Sequence, residues 1–87
     1  MYLVMVYDVS EERVSKVLKV ARKYLNWIQN SVLEGEITDA NLLKLKKELK
    51  EVIDENYDSV IFYILPNKKN LIRDNMGVLK NSDFNII

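Results

Sequence analysis

The 87-residue chain is long enough for one hydrophobic core but short of the size at which that core alone gives comfortable stability. It contains no cysteine and no histidine, which excludes disulfides, thiolate chemistry and the usual zinc ligands. Any catalysis must therefore use carboxylate, tyrosine, serine, lysine or arginine side chains with an oxygen-preferring metal such as Mg²⁺ or Mn²⁺. The 13 basic and 13 acidic residues cancel, but they are unevenly distributed along the chain.

The chain has two glycines and one proline, which predicts a compact domain without long linkers. It has no apolar run that approaches the length needed to span a bilayer, and its apolar amino terminus lacks a basic leader. We therefore expect a soluble, cytoplasmic protein that is not exported.

The first predicted element is a central strand made of the six apolar residues from Tyr2 to Tyr7, which lack the polar alternation of a half-exposed strand. This strand ends at Asp8. A carboxylate at that point either caps the helix that follows or binds a cation, because ligands commonly bind beyond the carboxyl ends of strands in open α/β sheets. Position alone favours capping over metal binding.

The first helix is predicted to begin at Ser10, a good N-cap, with Glu11 and Glu12 in its first turn. Its apolar stripe consists of Val14, Val17, Leu18, Ala21 and Leu25. Between Arg13 and Lys23 the other face carries basic residues and no acid: Arg13, Lys16, Lys19, Arg22 and Lys23. This face is either the solvated side of an amphipathic helix or a nucleic-acid-binding surface, for which Arg13, Lys16 and Lys19 are the candidates.

The stretch 26–37 is rich in strand-forming residues and predicts one bent strand or two short ones, with a break at Asn30 and Ser31. Thr38 or Asp39 then caps a second helix. The apolar stripe of that helix is Leu42, Leu45, Leu49, Val52 and Ile53. The stretch 58–65 predicts a second buried strand, closed by Pro66, and it is expected to lie beside the first.

This order of strands and helices predicts an α+β, ferredoxin-like split βαβ sandwich, in which both helices pack on one face of an antiparallel sheet. We expect residues 1–87 to form a single domain. The apolar residues Phe84, Ile86 and Ile87 at the end of the chain would be a liability if exposed. We therefore expect the segment 82–87 to pair with a sheet edge, and a homodimer in which it crosses to the partner's sheet.

Four groups of residues are distinctive. They are Tyr7-Asp8-Val9 at the end of the first strand, Arg13 on the basic helix, the run Trp27-Ile-Gln29-Asn-Ser31-Val-Leu-Glu34-Gly35, and the closing strand Asp58-Ser-Val-Ile-Phe-Tyr63. These residues resemble the family of CRISPR-associated protein two. Their order and spacing match the family over nearly the whole chain. Two positions depart from it, since Leu33 stands where many relatives have phenylalanine and Trp27 where many have a basic residue.

The resemblance implies a homodimer in which two copies of Asp8 share one Mg²⁺, with Asp8 as the essential catalytic carboxylate. It also implies a role in CRISPR adaptation, in which the dimer bridges two dimers of the integrase, CRISPR-associated protein one, and holds duplex DNA. Some members cut single-stranded RNA or double-stranded DNA, and others act as scaffolds.

Two other functions are consistent with the sequence. One is a stand-alone, toxin-like endoribonuclease, and the other is a small ferredoxin-like regulatory module that binds a metabolite. The regulatory module predicts a polar pocket and has no need of a basic helix. A CRISPR array and an integrase gene near the gene would favour the adaptation protein.

Overall fold

The computed structural model describes residues 1–77 and contains four strands and two α-helices. The strands are β1 (Tyr2–Asp8), β2 (Asn26–Gln29), β3 (Val32–Glu36) and β4 (Ser59–Leu65), the helices are α1 (Glu11–Ala21) and α2 (Asp39–Val52), and a short 3₁₀ helix (Lys68–Asn70) follows β4. The predicted crossing of the segment 82–87 to a partner lies outside the described residues. Within residues 1–77 no helix has the length and apolarity to cross a bilayer.

The four strands form one antiparallel sheet in the order β2-β3-β1-β4, with β1 paired to a neighbour on each side. Because side chains alternate along a strand, Leu3, Met5 and Tyr7 of β1 point to one face of the sheet. They pack there with apolar residues from both helices, namely Val17, Ala21, Leu42, Leu45 and Leu49. Both helices therefore cover the same face, and the predicted ferredoxin-like fold is confirmed.

Between the two helices the structure has two short strands and not one bent strand. They are joined by a tight turn at Asn30, whose φ of 42° is tolerated by asparagine more readily than by most residues. Gly35 lies within β3 and does not break it. Of the two predicted caps of α2, Thr38 and Asp39, the structure has Thr38, since its side chain accepts a hydrogen bond from the Asn41 N–H at 3.1 Å.

The face of the sheet away from the helices, which we call the open face, is only partly covered. Near the start of β1, the buried Tyr2 lies beside Leu71 and Arg73 of the segment that follows the 3₁₀ helix. Tyr2 donates a hydrogen bond to the buried Glu34 carboxylate at 2.5 Å, and Arg73 pairs with the same carboxylate. Burial and the neighbouring Glu34 raise the pKa of Tyr2 above its ordinary value, so its hydroxyl stays protonated and donates this bond.

Further along the open face, towards the end of β1, apolar side chains are left exposed. Ile61 and Tyr63 of β4 are 48% and 55% exposed, and Val4 and Val6 of β1 lie beside them, half-buried. Adjacent exposed apolar side chains of this kind are typical of an interaction surface.

Candidate active site at the end of strand β1

Asp8 is the last residue of β1 and lies directly opposite Ser59 of β4. The strand alternation places it on the open face, next to the exposed apolar side chains, and its own side chain is exposed. Among residues 1–77 its carboxylate makes no hydrogen bond or ion pair. Capping of α1 by Asp8 is therefore wrong, and the carboxylate is available to a ligand.

Asp58 anchors the start of α1 instead. Ser10 occupies the N-cap position, but its hydroxyl makes no capping hydrogen bond. The Asp58 carboxylate, fully buried, accepts hydrogen bonds from the Ser10 N–H at 2.9 Å and the Asp54 N–H at 2.8 Å. It also accepts two from Arg13, at 2.5 Å from Nε and 2.9 Å from Nη2. The sequence predicts Asp58 only as the start of a strand, and this role is not apparent from the sequence alone.

These donors make the stability of the fold depend on pH. The hydrogen bonds from Arg13, and then those from the two backbone N–H groups, hold the pKa of the Asp58 carboxyl well below its usual range. Because the pKa of this carboxyl is lower in the folded than in the unfolded state, its ionised form stabilises the fold at every pH above the unfolded-state pKa of about 4. This stabilisation is lost as the pH falls below that value. We expect Asp58→Asn to lower the melting temperature clearly at pH 7 and progressively less below about pH 4.

Thermal unfolding followed by circular dichroism between pH 3 and 7 measures this difference. Asp8→Asn is the matched control, because the exposed Asp8 side chain has no partner within residues 1–77 to lose. A difference between Asp58→Asn and the wild type that stays constant across this pH range would contradict the prediction.

The three predicted nucleic-acid-binding residues lie in two different environments. The Arg13 guanidinium is held by Asp58 and by Glu12, with 21% of its side chain exposed. Lys16 and Lys19 are exposed one turn apart on α1, and neither forms an ion pair within the described part of the chain. The structure thus brings Lys16 and Lys19 to one exposed surface and gives Arg13 a partner of its own. Nucleic-acid binding by all three stays a prediction.

Three aromatic residues, Tyr7, Tyr24 and Trp27, pack within the fold. Tyr7 is buried in the core, and its hydroxyl donates to the Asn30 carbonyl oxygen at 3.3 Å. Tyr24 packs against the core and donates a hydrogen bond to Glu48 of α2. Trp27 packs against the same core, with the Arg22 guanidinium 5.8 Å from its ring centroid.

Whether this site can hold a metal ion depends on the carboxylate ligands that it offers. Within residues 1–77 no three carboxylates lie close enough together to hold a metal ion. Mg²⁺ keeps several of its waters in proteins and is commonly bound through one or two carboxylates, so a pair of exposed Asp8 side chains from two copies fits a hydrated Mg²⁺. One copy alone supplies one Asp8 carboxylate.

Comparison with known proteins identifies the family of this chain. The family model described as CRISPR associated protein Cas2 matches residues 1–71. The chain belongs to the Cas2 family. This confirms the family predicted from the Tyr7-Asp8 strand end and the run from Gln29 to Gly35.

Curated Cas2 relatives match over nearly their whole length. The CRISPR-associated endoribonuclease Cas2 of Dictyoglomus turgidum is 57% identical over 81 residues, which is 93% of each chain. The protein of the same name from Thermotoga maritima is 53% identical over 83 residues, or 95% of each chain.

Solved Cas2 structures share the fold. A crystal structure of Cas2 superposes with a TM-score of 0.85 at 46% identity and covers 93% of this chain and 91% of that one. Streptococcus pyogenes Cas2 at pH 6.5 gives a TM-score of 0.79 at 32% identity, with 88% and 100% covered.

Proposed function

We propose that this Cas2 protein is an endoribonuclease that cleaves single-stranded RNA as a homodimer, with one Mg²⁺ held between the two copies of Asp8. The observation that carries the proposal is the exposed Asp8 carboxylate at the end of β1, which has no partner among residues 1–77. The names of the curated relatives support the choice of RNA as substrate. When bound, Mg²⁺ lowers the pKa of a water and stabilises charge on a phosphoryl oxygen.

The homodimer is supported by the surroundings of Asp8. The exposed Ile61 and Tyr63 lie on the same face of the sheet as Asp8. A second copy related by a two-fold axis through this surface would cover these side chains and bring the two Asp8 carboxylates together. Cleavage of single-stranded RNA by the wild type and by Asp8→Asn, with Mg²⁺ and with EDTA, tests the proposal.

We propose in addition that the dimer acts in CRISPR adaptation in the cytoplasm, where it bridges the integrase, CRISPR-associated protein one, and binds duplex DNA. The exposed Lys16 and Lys19 support the nucleic-acid part of this role. They lie on α1, which packs on the opposite face of the sheet from the proposed dimer surface. Dimerisation therefore leaves both lysines accessible to phosphate groups.

Binding through these lysines predicts a specific salt dependence. Contacts to phosphates release counterions, so each lost contact lowers the slope of log affinity against log salt by about 0.9 on duplex DNA and about 0.7 on single strands. We expect Lys16→Gln with Lys19→Gln to weaken binding similarly for all sequences and to flatten this slope. Fluorescence anisotropy of a labelled duplex at several salt concentrations measures both effects.

The matched control is Lys44→Gln with Lys47→Gln, which removes two exposed lysines from α2 and leaves the net charge the same as in the α1 variant. An equal loss of slope in both variants would indicate a general charge effect. An unchanged slope in the α1 variant would show that Lys16 and Lys19 belong to a solvated face only.

A further inference from the structure

We propose that Arg13 and Asp58 form a clamp that fixes the loop after β1 and so positions the Asp8 carboxylate. In this assignment Arg13 is a positioning residue and does not bind phosphate groups of the nucleic acid. The proposal rests on the proposed function, because it assigns a task to the surroundings of Asp8.

The first support is the number of chain segments that meet at one carboxylate. Asp58 accepts the N–H of Ser10 from the loop between β1 and α1, and the N–H of Asp54 from the loop between α2 and β4. It also accepts both N–H groups of the Arg13 fork, from the first turn of α1. A fully buried carboxylate with four donors has one orientation, so it fixes these three segments relative to each other.

The second support is the position of this carboxylate relative to Asp8. Asp8 is two residues before Ser10, and it pairs across the sheet with Ser59, the residue after Asp58. Asp58 is buried on the helix side, and Asp8 is exposed on the open face. The clamp therefore fixes the end of β1 and the start of β4 from the helix side of the sheet. The Asp8 side chain lies at these two strand ends, on the open face.

The third support is the state of the Arg13 side chain. Its Nε and Nη2 atoms are directed at Asp58, and its Nη1 atom lies 3.1 Å from Glu12. All three guanidinium nitrogens thus have carboxylate partners, whereas Lys16 and Lys19 have none within residues 1–77. A phosphate group that binds Nε or Nη2 of Arg13 would have to displace the pair with the buried Asp58, and the two lysines impose no such cost.

Arg13→Lys separates the two roles of Arg13. Lysine keeps the positive charge for a phosphate contact but cannot form the two parallel hydrogen bonds of the guanidinium fork. We expect the kcat of Mg²⁺-dependent RNA cleavage to fall about ten- to a hundredfold, as a small misplacement of a reacting group can cause. The affinity for RNA and its salt slope should stay at the wild-type values.

Hydrogen exchange provides a readout that does not depend on cleavage. In Arg13→Lys the amides of Ser10 and Asp54 should exchange faster than in the wild type, since both donate to Asp58. The Leu42 amide, which donates to Thr38 at the start of α2, should be unchanged. Glu48→Gln is the matched variant, because it breaks the carboxylate contacts of Lys23 and Tyr24 away from Asp8 and should leave kcat unchanged.

The outcomes distinguish the clamp from the proposed function. If the wild type cleaves no RNA, the proposed function fails, and faster exchange at Ser10 and Asp54 still supports the clamp. Wild-type exchange at both amides in folded Arg13→Lys would overturn the clamp. Wild-type kcat in Arg13→Lys would also overturn it and would return Arg13 to phosphate binding, a role in which the lysine charge can replace arginine. Asp58→Asn should show the same loss of kcat and the same faster amide exchange as Arg13→Lys. No further loss in the double variant would confirm that the two residues act as a unit.

Discussion

Asp8→Asn should reduce the cleavage of single-stranded RNA on the order of a hundredfold or more, while RNA affinity stays near the wild-type value. Asparagine keeps the size of the side chain but removes the charge with which the paired Asp8 residues would hold Mg²⁺. Because Asp8 is exposed and has no partner within residues 1–77, this substitution should leave the fold intact. Single-turnover cleavage of a labelled RNA, with Mg²⁺ and with EDTA, measures the loss.

Two controls make this result decisive. The melting temperature of Asp8→Asn should equal that of the wild type, and EDTA should abolish wild-type cleavage while leaving the residual rate of the variant unchanged. Full cleavage by folded Asp8→Asn would rule out the metal-site assignment. In the adaptation role, spacer acquisition together with the integrase should survive the substitution, since a scaffold needs no catalytic carboxylate.

Ile61→Glu should dissociate the homodimer at micromolar concentration. Ile61 is 48% exposed on the open face near Asp8, and the proposed dimer buries it. A buried carboxylate without a partner costs about 3 kcal/mol or more, which corresponds to more than about a hundredfold in the dissociation constant. Light scattering and sedimentation velocity measure the oligomeric state directly.

Leu43→Glu is the matched control, since Leu43 is 68% exposed on α2, away from the open face. It should remain a dimer with wild-type cleavage. Ile61→Glu should lose cleavage together with the dimer, because one copy supplies only one Asp8. Monomeric Ile61→Glu with full cleavage would show that Asp8 acts without a second copy.

The sequence predicted the elements whose pattern is local. The unbroken apolar run of β1 and the three- and four-residue spacing of the helix stripes both follow from the geometry of a single element. The sequence does not fix the number of strands between residues 26 and 37, because the turn between them uses Asn30 in a left-handed conformation and no glycine marks it. Ile53, predicted to extend the stripe of α2, lies instead at its extended C-cap.

The surroundings of the site could not be predicted in the same way. Asp8 and Asp58 look alike in the sequence, since each is a single carboxylate beside an apolar strand. They differ in their surroundings in the fold. The buried Asp58 carboxylate accepts hydrogen bonds from Ser10 and Arg13, which are 48 and 45 residues away in the chain. Charge spacing likewise groups Arg13 with Lys16, and only the tertiary contact with Asp58 separates them.

The contact of Arg73 with Glu34 has a consequence for how a partner can approach. It fastens the segment after β4 over the Tyr2 end of the open face, and no part of residues 1–77 covers the Asp8 side chain at the other end. A flat sheet with both ends bare could be met by a second copy in parallel or in antiparallel alignment. With one end blocked, only an approach over the other end avoids a steric clash. In the proposed homodimer, Glu34 and Arg73 would thus favour one docking orientation by obstructing the alternatives, the orientation that brings the two Asp8 residues towards each other.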